Sequence, residues 1–133
     1  MIGVLIVTHR ELAEALMSVY DLIMGSREGI QAVSLDPDAS PEAIRQQIHK
    51  ALALVNGQKT IILTDMLGGT PSNMSLPFLK EGKVEVITGI NLPMLMKLPS
   101  VRDNDNLAEV VQALKESGQK GIAVASEVLT KRK

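Results

Sequence analysis

Apolar and polar residues fall into blocks along the chain, and the period changes from block to block. Ile2-Gly3-Val4-Leu5-Ile6-Val7 is a short apolar run rich in β-branched residues, the pattern of a buried strand. The amphipathic stretch Glu11-Leu12-Ala13-Glu14-Ala15-Leu16 follows and predicts a helix from about His9 to Met24, closed at Gly25. A second strand is expected over Gly29–Leu35, then a turn at Asp36-Pro37-Asp38-Ala39. Ser40-Pro41-Glu42 supplies an N-cap, a first-position proline and an acidic first turn, so a second helix runs to about Val55 and ends at Asn56-Gly57. A third strand covers Thr60–Thr64. After the loop Asp65-Met66-Leu67-Gly68-Gly69, Thr70-Pro71 caps and opens a short helix to about Leu79. A fourth strand covers Val84–Thr88. Gly89-Ile90-Asn91-Leu92-Pro93 opens another short helix, and one more covers about Leu107–Ser117. Gly121-Ile122-Ala123-Val124-Ala125 reads as a last strand.

Strands separated by helices imply right-handed βαβ crossovers, hence an α/β fold with a mostly parallel, doubly wound sheet and helices on both faces. At 133 residues the chain, residues 1–133, is expected to be one domain. Its 45% hydrophobic content is enough for a sizeable core, built with almost no aromatics, since Tyr20 and Phe78 stand alone.

Charge and composition exclude several functions. A net charge of −1 offers no field for nucleic acid or an anionic membrane, and the basic end Lys131-Arg132-Lys133 is too short to alter that. The absence of cysteine excludes disulfides and thiolate chemistry and fits a reducing compartment. No apolar stretch reaches the ~18 residues of a membrane span, and no basic leader is apparent, so a cytoplasmic protein is expected.

The candidate chemistry lies at two strand ends. His9 follows the first strand and Asp65 the third. In a sheet of order 2-1-3-4 these strands are neighbours, and the topological switch point lies between their carboxyl ends. A carboxylate accepting from Nδ1–H fixes the imidazole tautomer and leaves Nε2 free as base, ligand or nucleophile. The neighbourhood favours phosphate. Gly68 and Gly69 let the backbone approach closely, and the helix start at Thr70-Pro71-Ser72 offers N–H groups and hydroxyls to an anion. Thr8-His9-Arg10-Glu11 has the capping-box pattern, so Thr8 would cap a second helix start at the same place. Arg10 would add charge at the rim. Met66 and Leu67 are apolar residues beside the site and suit either packing or partner docking.

Each feature alone also has a plainer reading: His9 as a loop residue, Asp65 and the glycine pair as turn formers. A metal site fits poorly, because His49 lies mid-helix without partners at ligand spacing. No cofactor is implied. A receiver domain phosphorylated on aspartate would place acidic residues after the first strand, where Thr8-His9 stands instead.

Together, Gly3-Val4-Leu5-Ile6-Val7-Thr8-His9, Asp65-Met66-Leu67-Gly68-Gly69-Thr70-Pro71 and Gly89-Ile90-Asn91-Leu92-Pro93-Met94-Leu95 resemble the enzyme IIA domain of the mannose-type sugar phosphotransferase system, in family order and over essentially the whole chain. The resemblance implies that His9 takes a phosphoryl group from the histidine-containing phosphocarrier protein and passes it to a histidine of a IIB component. It makes Asp65 the histidine's partner and Thr70 a phosphate holder. It also implies a homodimer whose last, antiparallel edge strand, here Gly121–Ala125, can exchange between subunits. The IIB component would act in trans, and contact with the membrane would be indirect, through the transporter. Arg10 departs from the family, in which glycine commonly follows the histidine. An alternative role is a regulatory module whose His9 phosphorylation state signals sugar supply.

Overall fold

The computed structural model describes residues 1–55 and 59–131. Four strands, β1 (Gly3–His9), β2 (Ile30–Leu35), β3 (Thr60–Thr64) and β4 (Val84–Thr88), form one parallel sheet in the order β2-β1-β3-β4. The helices are α1 (Leu12–Met24), α2 (Pro41–Leu54), α3 (Thr70–Ser75), α4 (Leu92–Val101), α5 (Leu107–Lys120) and α6 (Ala125–Lys131). A 3-10 turn over Leu76–Phe78 extends α3. The doubly wound α/β fold and its strand order are as the sequence predicts.

Side-chain alternation along β1 divides the core. Val4 and Ile6 pack with Met17 and Tyr20 of α1, Leu95 and Leu98 of α4 and Leu114 of α5. Leu5 and Val7 point the other way, onto Ile44, Ile48 and Ala51 of α2. A period of two dictates this split in a strand covered on both faces. It also sends His9, two residues past Val7, to the α2 and α3 side.

Helix starts follow local capping chemistry. Ser40 caps α2 by accepting the Ala43 N–H at 3.1 Å, with Pro41 behind it, as expected. Asn91 and Asn106 cap α4 and α5 in the same way.

Three expectations are corrected. The first helix starts at Leu12 rather than His9, because β1 continues through His9, which pairs with Leu35. Its N-cap is Glu11, without a side-chain cap, so the Thr8–Glu11 capping box does not form. Thr8 instead sits fully buried in β1, and its hydroxyl accepts the Ala13 N–H at 2.7 Å. At α3 the N-cap is Gly69, and Thr70 is already helical. Lastly, Gly121–Ala125 forms no strand. Gly121 caps α5 and Ala125 opens α6. Residues 121 to 130 are all exposed, and the run makes no ladder with any strand of the sheet. The expected end of α2 at Asn56-Gly57, and Arg132 and Lys133 of the basic tail, lie outside the described residues. No described helix is long and apolar enough to cross a membrane.

The end of the sheet away from His9 is tied by one cation. Arg102, 6% exposed at the end of α4, donates from Nε (3.1 Å) and Nη2 (2.9 Å) to Ile2 O and from Nη1 (2.7 Å) to Glu28 O. Its own carbonyl accepts the Ile2 N–H at 3.0 Å. Arg102→Met keeps the apolar stem but strips the buried Ile2 carbonyl and the part-buried Glu28 carbonyl of their side-chain donors. A loss of at least about 2 kcal/mol is expected in urea unfolding. Arg102→Lys is expected to recover little, because a point charge cannot replace the fork. A methionine variant within ~0.5 kcal/mol of wild type would refute this role.

Candidate functional site

The strand ends meet as the topology requires. His9 closes β1, and Asp65 follows β3, whose Thr64 is in register with Val7. Oδ2 of Asp65 accepts both the His9 backbone N–H, at 2.9 Å, and the His9 ring at Nδ1, at 2.8 Å. Oδ1 accepts the Met66 N–H at 3.1 Å. An ionised carboxylate only accepts, so Nδ1 carries a proton, and in the neutral ring Nε2 is then the nitrogen with the free lone pair. Exposure is divided accordingly: the His9 side chain is 48% exposed and that of Asp65 13%. Burial pushes the Asp65 carboxyl up. The His9 amide and imidazole pull it down harder, and the net position is below the usual carboxylate range.

The glycine pair places backbone against the reactive edge of the ring. A Cβ on Gly69 would lie 2.7 Å from His9 Cε1 and 3.2 Å from Nε2, so only glycine fits beside this nitrogen. Gly68 has a φ of +84°, a conformation glycine adopts without penalty, and this turns the loop into α3. The first backbone bond of α3 runs from the Asn73 N–H to Gly69 O at 2.9 Å. The N–H groups of Thr70 and Ser72 precede it, while Pro71 has none to offer.

A hydroxyl relay fixes the loop from below. The Ser72 hydroxyl donates to Met66 O and lies 2.6 Å from the Thr64 hydroxyl, which must therefore be the donor between them. Ser72 and Thr64 are fully buried. The hydroxyls of Thr8 and Ser72, both expected near a bound anion, are thus spent inside the fold. Thr8 donates to His9 O at 3.2 Å and accepts from Ala13. Thr70 is exposed and shares a cavity of about 330 Å³ with His9.

That cavity was not foreseen. Leu35, Ile44, Pro71 and Met74 give it an apolar wall, and His9, Arg10, Asp36 and Thr70 contribute the polar groups. The signal for it was the end of β2, the neighbour of β1 opposite β3. Arg10 sits there with a φ of +47°, its N–H held by Leu35 O at 3.0 Å. Met66 and Leu67 are 56% and 75% exposed on the loop carrying Asp65. His49 is exposed on α2, outside the cavity. Among the described residues, no three His, Cys, Asp or Glu side chains converge as metal ligands do.

Residues 3–115 match the EIIA-man family model, described as the PTS system fructose IIA component. The chain belongs to this family. It is 30% identical over 135 residues to the PTS system fructose-specific EIIA component of Bacillus subtilis (strain 168), covering 100% of this chain and 92% of that one. It is 29% identical over 124 residues to the PTS system mannose-specific EIIAB component of Escherichia coli (strain K12), covering 91% of this chain and 38% of the longer protein. Among solved structures, phosphotransferase system component EIIA from Streptococcus agalactiae superposes with a TM-score of 0.86 at 27% identity, covering 96% of this chain and 99% of that one. The protein is thus a IIA component of the phosphotransferase system, with His9 and Asp65 at the sheet's switch point.

The depressed carboxyl of Asp65 fixes the direction of a pH effect. A group whose folded pKa lies below its unfolded value of about 3.9 stabilises the fold above that value and loses the contribution as pH falls through the folded pKa. The stability gap between the wild-type IIA domain and Asp65→Asn is therefore expected to narrow as pH drops below about 4. Urea unfolding at a series of pH values measures it. A gap that widens on acidification would contradict the assignment.

Proposed function

We propose that this IIA component is a cytoplasmic phosphocarrier. Nε2 of His9 accepts a phosphoryl group from the histidine-containing phosphocarrier protein and passes it to a IIB component. The observation that carries this reading is the pair of bonds from His9 to Asp65 Oδ2, which makes Nε2, beside Gly69, the lone-pair nitrogen of the neutral ring.

The transfer is an in-line displacement. The Nε2 lone pair forms the new N–P bond while the donor's N–P bond breaks and returns its electron pair to the donor ring. The Nδ1 proton stays on His9. Asp65 orients the ring and offsets the positive charge it acquires. The N–H groups of Gly69, Thr70 and Ser72, with the Thr70 hydroxyl, would donate to the phosphoryl oxygens, and Gly68 shapes their loop. The hydroxyls of Thr8 and Ser72 take no part, because both are buried and engaged. No metal or cofactor is required when donor and acceptor are both imidazoles. Met66 and Leu67, with Arg10, form the face on which the protein partners dock.

The chain would act as a homodimer. Ile122 is 78% and Leu129 64% exposed on the C-terminal segment, and a cavity of about 430 Å³ lies open along the edge strand β4, with Ile87, Met94 and Ile122 in its lining. The exposed segment of one copy covering that edge of another accounts for both.

His9→Ala is expected to take up no phosphoryl group from the phosphorylated carrier protein. Asp65→Asn is expected to slow uptake by about 100-fold or more, because the imidazole loses its tautomer lock. Radiolabel transfer measures both. Wild-type labelling of His9→Ala would overturn the proposal. Discharge of the labelled protein onto a IIB protein tests the transport role against a purely regulatory one.

A further inference from the structure

We propose that the guanidinium of Arg10 pairs with the phosphoryl group on His9 Nε2 and so stabilises the phosphorylated state. This rests on the phosphocarrier reading above. It adds a residue that binds the transferred group.

Charge on the cavity wall is the first ground. Asp36 carries the one negative charge among the lining residues, and Arg10 the one fixed positive charge. Asp65 adds a second carboxylate behind the ring. A phosphoryl group brings roughly −1.5 to −2 more. The imidazolium that forms on transfer balances Asp65, which leaves the phosphoryl group and Asp36 as like charges at the cavity, and Arg10 is the lining residue able to offset them.

Availability is the second. Arg10 is exposed and has no carboxylate within ion-pair distance among the described residues. Asp36 is partly committed, since its Oδ1 accepts the Asp38 N–H at 2.9 Å. The arginine is thus free to turn to a new anion, and its planar fork matches phosphate oxygens.

Backbone conformation is the third. Among the described residues Arg10 is the one non-glycine with positive φ, at +47°. A Cβ makes that region costly, and glycine occupies it freely. Leu35 O holds the Arg10 N–H at 3.0 Å, so the residue stays where β1 leaves the sheet, next to His9. An arginine kept in a glycine-like conformation, with its side chain on the wall of the reactive cavity, suits a role for that side chain.

The test separates binding of the phosphoryl group from docking of a partner. Wild type and Arg10→Gln are mixed in equal amounts with a limiting supply of phosphoryl groups and a catalytic amount of the carrier protein. At equilibrium the partition depends only on the relative stability of the two phosphoproteins, whatever the carrier's affinity for either. Native mass spectrometry at neutral pH reads it. Wild type is expected to hold the phosphoryl group over Arg10→Gln by about threefold or more at low salt, and the preference is expected to shrink as salt rises. Arg10→Lys is expected to fall between them. Arg10→Gly, which relieves the backbone at this positive φ, is expected to lose as much as Arg10→Gln. Equal partition between wild type and both uncharged variants would overturn the proposal, including the case in which those variants only reach equilibrium more slowly. Failure of wild type to take up any phosphoryl group would instead overturn the phosphocarrier reading, and this inference with it.

Discussion

Two hydrogen bonds from one residue end on a single atom. Oδ2 of Asp65 receives the His9 backbone N–H and the His9 ring at Nδ1, so the strand end and the imidazole are positioned by the same oxygen. The backbone bond keeps the end of β1 in place beside the start of the β3 loop. The ring bond selects the tautomer. A shift in the loop that carries Asp65 would disturb both together, which explains why that loop is so firmly held. Gly68 turns it, the Thr64–Ser72–Met66 relay anchors it, and Gly69 closes against the ring.

The parallel sheet makes this arrangement economical. Every strand delivers its carboxyl end to the same side, so β1, β2 and β3 each bring one piece of the site without a long excursion of the chain. β3 brings the carboxylate and the glycine loop. β2 brings Leu35 and the Asp36 turn, which hold Arg10 and open the cavity. The far end of the sheet is fastened separately by Arg102, so rigidity there is independent of the groups around His9.

The strands were legible in the sequence because β-branched apolar runs are a local signal, whereas the His9–Asp65 pair, 56 residues apart, followed only once a doubly wound order made β1 and β3 neighbours. Ser40-Pro41 marked a helix start by its own chemistry and did so correctly. Thr8 to Glu11 carried an equally good capping pattern and misled. There the ladder to Leu35 and the Asp65 carboxylate extend β1 through His9, and these tertiary bonds win over a local box. Thr8 still serves the helix, by accepting the Ala13 N–H from within the strand. Nothing in an arginine announces a positive φ, so the conformation of Arg10 could not be foreseen. Gly121–Ala125 has the composition of a strand, but composition alone does not pair it, and the chain passes from α5 to α6 there without a ladder.

The central claim is that Asp65 holds the proton on Nδ1 and leaves Nε2 to carry the phosphoryl group. Nitrogen-15 NMR of the phosphorylated, histidine-labelled protein tests it most directly, because coupling to phosphorus identifies the bonded nitrogen. The expected spectrum shows phosphorus coupled to Nε2 of His9 and a proton on Nδ1. Phosphorus coupled to Nδ1 would contradict the account, since that nitrogen could not then donate to Asp65.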